Sequence, residues 1–224
     1  MFLTKDKAFA SIGVNCLPEV QLIKRFSTWK NVQPEERFKG YTQIRGPFDT
    51  GGVTPKALIH ILNLMKKDKV VEELGNIANY YEELQPSGDM FYGHNTIQGY
   101  TLTHEDEDLN NFAQSIKYRF NNFLNLPKDT TLIWSNSQAN FTHDFLVTGN
   151  VIKDYYLTVE DYENISKIIA EMFGYKIKFA VRDTYVDRHL LDKDNVFVVN
   201  IPFGNFNLFG SKKSFDHIFE SEEK

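Results

Sequence analysis

Residues 8–26 read AFASIGVNCLPEVQLIKRF, and the spacing of their apolar positions changes half-way along. The first seven form a short apolar run that meets a glycine, the pattern of a buried strand. From Leu17 onward, Val20, Leu22, Ile23 and Phe26 recur at helical spacing. Pro18 and Glu19 stand where a first helical turn tolerates a missing N–H and favours negative charge. The stretch is strand, turn, helix, and Cys16 lies at the turn.

The same change of period repeats downstream. Thr54-Pro55 opens a helix to Lys67, with Leu58, Ile61, Leu62 and Met65 on one face, and a second helical stretch covers Val70–Leu84. Between the first two helices, RGPFDTGG is rich in turn formers and reads as a loop. Residues 96–103 are strand-like, and Leu109–Leu124 is a helix with Phe112, Ile116, Phe120 and Phe123 on one face. Pro127 ends it, and Thr131–Ser135 (TLIWS) is a buried strand. Thr158 with Asp161 is a capping signal for a helix through Phe173, stopped by Gly174. Strands follow at Lys176–Arg182 and Val196–Ile201.

This alternation predicts an α/β fold with a central, mostly parallel or mixed sheet flanked by helices. Strand order stays open. No internal repeat or low-complexity linker divides the chain, so residues 1–224 are expected to form one catalytic domain. Its charged tail, SFDHIFESEEK, suits the N-terminal part of a longer protein.

The 224 residues suffice for a substantial core, with 42% hydrophobic and 25% charged. A net charge of −5 with scattered Lys and Arg argues against a nucleic-acid partner. Neither a signal peptide nor a run of about 18 apolar residues is present, so no membrane span is expected. A single cysteine cannot form an internal disulfide. The expected location is the cytoplasm, where a lone thiol stays reduced.

A thiol attacks carbon as the thiolate, which is scarce at neutral pH for a free pKa of about 8.5. The unsatisfied N–H groups of a helix N-terminus favour that charge and can also donate to an oxyanion. The Gly13–Cys16 turn therefore offers an activated nucleophile and a place to hold an intermediate. A small cysteine that merely packs is the competing account. Asn15 can donate its amide to the same oxyanion or serve as a turn residue.

Ser11–Cys16, Gly46-Pro47-Phe48-Asp49, His104-Glu105 and a helix carrying Arg119-Phe120 occur here in that order. The pattern resembles a bacterial and viral family described as papain-like cysteine peptidases of unknown function. It is distantly similar to capsule-polysaccharide enzymes that bind coenzyme A through a related Asn-Cys turn. The resemblance covers roughly residues 7–135. The chain departs from the family in having His-Glu where His-Asp is usual, and Thr50 where Trp often follows PFD.

A cysteine nucleophile needs an imidazole, and the imidazole needs an orienting group. His104 follows a predicted strand and matches the family position. His143, in NFTHDF, is its rival, and His94 is a third candidate. Asp49, in the GPFD turn, is the expected orienting carboxylate, with Asp106 as the alternative. His60, His189 and His217 are read as structural or surface residues. Arg45 and Arg182 can bind a phosphate-bearing cofactor or a carboxylate, or form ordinary surface ion pairs. No metal is expected, because neither paired cysteines nor an HExxH run is present.

The resemblance to the capsule enzymes implies an acyltransferase with acetyl-coenzyme A as donor and a sugar or nucleotide-sugar as acceptor. A cysteine peptidase or amidase is the alternative, although Asp6–Asn15 lacks the glutamine that papain-type enzymes usually carry before the nucleophile. A third reading is a non-catalytic nucleotide- or glycan-binding module that uses the strand–turn–helix to cradle a phosphate.

Overall fold

The computed structural model describes residues 1–13, 17–26, 41–49, 51–69, 90–92, 100–103, 109–137, 153–202 and 210–220. Its strands are β1 (Phe2–Leu3), β2 (Lys7–Ser11), β3 (Thr42–Gln43), β4 (Gly51–Val53), β5 (Met90–Tyr92), β6 (Tyr100–Thr103), β7 (Asp129–Ser135), β8 (Lys176–Val181) and β9 (Val196–Val198). Its helices are α1 (Leu17–Phe26), α2 (Pro55–Lys66), α3 (Leu109–Leu124), α4 (Val159–Phe173) and α5 (Asp216–Glu220).

Six strands form one mixed sheet in the order β3-β1-β2-β7-β8-β9. β2, β7, β8 and β9 run parallel, and β1 lies antiparallel between β2 and β3. The fold is the expected α/β arrangement with helices on the sheet. A second, antiparallel sheet, β4-β6-β5, was not expected.

Side chains alternate across a strand, so each parallel strand feeds two cores. Ala8, Ala10, Leu132, Trp134, Ile177 and Phe179 belong to one core with Leu58, Ile61 and Leu62 of α2, Phe120 and Phe123 of α3, and Ile165 and Ile169 of α4. Phe9, Ile133 and Ala180 belong to the other, with Leu17, Leu22 and Phe26 of α1 and Ile218 and Phe219 of α5. The Phe9 ring lies 5.1 Å from Phe26 and 5.9 Å from Phe219. Each such ring contributes about 2–3 kcal/mol by leaving water, which fixes α1 and α5 to this face.

The caps agree with the sequence. Thr54 Oγ1 accepts from the Ala57 N–H at 3.2 Å, and Pro55 opens α2. Thr158 Oγ1 accepts from the Asp161 N–H at 3.1 Å and donates to Asp161 Oδ2 at 2.8 Å. Gly174 closes α4 with φ of 65°, a left-handed conformation that suits glycine.

Several strand boundaries differ from expectation, and β7 starts at Asp129, two residues before the expected Thr131. The run 8–14 gives a strand only to Ser11; Ile12 still donates to Ile133 O at 3.0 Å before the chain leaves the sheet at Gly13. β8 stops one residue short of Arg182. β9 stops at Val198, and beyond it Asn200 exchanges two hydrogen bonds with Asp183. The helix expected at Val70–Leu84 and residues 96–99 lie outside the described residues. Among those described, no helix is long and apolar enough to cross a membrane.

Candidate functional site

In open α/β sheets, ligands bind beyond the carboxyl ends of the parallel strands. Here those ends are Ser11 of β2, Ser135 of β7 and Val181 of β8, side by side. At these ends and just past them lies a group of buried polar residues: Ser11, Ser135, Asn136, Ser137 and Arg182.

Gly13 carries the chain away from β2. A Cβ there would lie 2.6 Å from Pro18 Cγ and 3.0 Å from the Ser135 backbone nitrogen, so only glycine fits without a shift. The start of α1 is thereby pressed against the end of β7. In the sequence, Cys16 directly precedes Leu17, the first residue of α1.

The GPFD loop closes over the same end of β2. Ser11 Oγ donates to Phe48 O at 3.3 Å. The Phe48 ring meets Phe120 and Phe123 of α3 edge-on, at 6.1 and 5.5 Å. Asp49 is 1% exposed. Its Oδ2 accepts from the Met1 α-amine at 2.9 Å and from the Gly46 N–H at 2.6 Å. Its Oδ1 is buried and has no hydrogen-bond partner among the described residues. Gly46 is tight as well, since a Cβ would lie 2.7 Å from Met1 Cγ.

Beyond β7, Asn136 uses its whole amide on backbone. Nδ2 donates to Tyr155 O at 3.0 Å and Tyr185 O at 2.9 Å, while Oδ1 accepts from the Arg182 N–H at 3.0 Å. Arg182 Nη2 donates to Ser137 O at 3.1 Å and Ile201 O at 2.6 Å. Burial pushes the guanidinium pKa down, opposed by Asp183 and Tyr185, yet an arginine stays protonated at any ordinary pH. The Ser135 and Ser137 hydroxyls lie 2.8 Å apart, and the Ser137 N–H donates to Ser135 Oγ at 3.2 Å.

Of the residues singled out from sequence, the structure brings Gly13 and Asp49 to the same end of β2 through the Ser11–Phe48 contact. Arg182 is at the same sheet edge, buried and bonded to carbonyls rather than on the surface. Arg45 is exposed, and its carbonyl accepts from Asn122 Nδ2 of α3 at 3.1 Å. His60, His189 and His217 are exposed. Cys16, Asn15, His104, Asp106, His143 and His94 lie outside the described residues. Among those described, no group of His, Cys, Asp and Glu is placed to hold a metal ion.

Sequence reading passed over Ser135, Asn136 and Ser137. The signal was an apolar strand, TLIW, stopping abruptly in small polar residues, SNS, where a parallel sheet presents its ligand edge.

Comparison with protein-family models, curated proteins and solved structures finds no match for this chain.

Proposed function

We propose that the chain is a cysteine-dependent acyl-transfer enzyme with Cys16 as nucleophile, His104 as its base and Asp49 as the carboxylate that orients the imidazole. The observation that carries this reading is the state of Asp49. One oxygen is tied by two donors; the other is buried and has no partner among the described residues. Leaving a buried carboxylate oxygen unmet costs free energy unless a donor arrives. An imidazole N–H is such a donor, and the GPFD loop holds the acceptor beside the end of β2, which leads to Cys16.

In this reading the imidazole takes the thiol proton, and the thiolate adds to an acyl carbonyl. The donor is acetyl-coenzyme A and the acceptor a hydroxyl or amine of a sugar or nucleotide-sugar in glycan biosynthesis, which makes this a cytoplasmic enzyme. Asn15 is a donor to the oxyanion. His143 and Asp106 are the substitutes should His104 and Asp49 not form the pair. Arg45, being exposed, is the better placed of the two arginines to meet a cofactor phosphate; Arg182 is engaged by carbonyls.

The test is a thermal shift with acetyl-coenzyme A and with coenzyme A. Ligand binding to the native state raises the melting temperature by mass action. A rise with both, together with transfer activity lost in Cys16→Ser, supports the acetyltransferase. No shift at millimolar ligand counts against it, and turnover of peptide or amide substrates would then make the chain a cysteine hydrolase. Binding that survives Cys16→Ser with no turnover would make it a non-catalytic module.

A further inference from the structure

We draw no further inference here: the strongest candidate, the fully buried indole N–H of Trp134 near the carboxyl end of β7, has no acceptor among the described residues but belongs to the packed core beside Phe179, where nothing in the structure shows what would meet it.

Discussion

The side chain of Asn136 receives the backbone N–H of Arg182 at 3.0 Å, so the residue that follows β7 is bonded to the residue that follows β8. The same amide donates to Tyr155 O and Tyr185 O. One buried side chain thus replaces a stretch of sheet where the strands have ended.

Asn136→Ala removes three hydrogen bonds at about 1 kcal/mol each. The expected loss is roughly 3 kcal/mol of unfolding free energy, read from urea titration. Asn136→Asp should be at least as harmful, because it loses both donations and buries a charge. A loss below about 0.5 kcal/mol would show that water replaces the amide without penalty.

Asp49→Asn keeps the shape of the GPFD loop and removes the charge facing the buried Met1 amine. Breaking one side of a buried pair typically costs about 3–5 kcal/mol, and equilibrium unfolding measures it. In the proposed mechanism the substitution also weakens the base, so the variant's Cys16 alkylation rate at neutral pH should fall by about tenfold or more. Full stability with slowed alkylation would assign Asp49 to orienting the imidazole alone. Lost stability with unchanged alkylation would assign it to the loop alone.

Gly13→Ala places a Cβ against Pro18 and the Ser135 backbone, and a backbone nitrogen at 3.0 Å yields less readily than a flexible side chain. Overpacking of this kind costs about 2 kcal/mol, or about 6 °C in melting temperature for a chain of this size. A thermal melt within about 1 °C of wild type would mean that the β2–α1 turn gives way easily.

Tyr175 supplies a pH test. Its hydroxyl donates to Leu126 O at 3.0 Å, and burial raises the phenol pKa. A raised folded-state pKa means the folded chain holds this proton more tightly than the unfolded one. The contribution is present in full below the unfolded phenol pKa of about 10 and is lost as pH rises through the folded value. Unfolding midpoints should therefore decline above about pH 10, and Tyr175→Phe should remove that part of the decline. An unchanged slope in Tyr175→Phe would assign the alkaline loss to other groups.

The local elements were legible from sequence because their causes are local. Helices α1, α2, α3 and α4 follow the apolar spacing, and Thr54, Thr158 and Gly174 mark ends within a few residues of the groups they cap. The small sheet was not legible: β4 is Gly51-Gly52-Val53, with no alternation to read, and its partner β6 lies about fifty residues on. In the site, Gly13 and Asp49 are marked by their own turns. Asn136 is not, since its partners Tyr155, Arg182 and Tyr185 are 19, 46 and 49 residues away. Arg182 reads as an ordinary surface cation until the carbonyls of Ser137 and Ile201 are brought to it.

The pairing of β2 with β7 joins Ser11 to Ile133, whereas that of β7 with β8 joins residues much nearer in sequence, Thr131 and Lys176. Closing the longer loop costs more chain entropy before any contact compensates for it. The expected order of folding is therefore β7–α4–β8 first and β2 afterwards. Pulse-labelled hydrogen exchange should show the Ala180 amide, whose residue faces β7, protected before that of Ala10, and simultaneous protection would refute this order. With β2 arriving late, Gly13 would reach the Ser135 backbone only as the last native contacts form, so a stalled intermediate would expose the unpaired edge of β7.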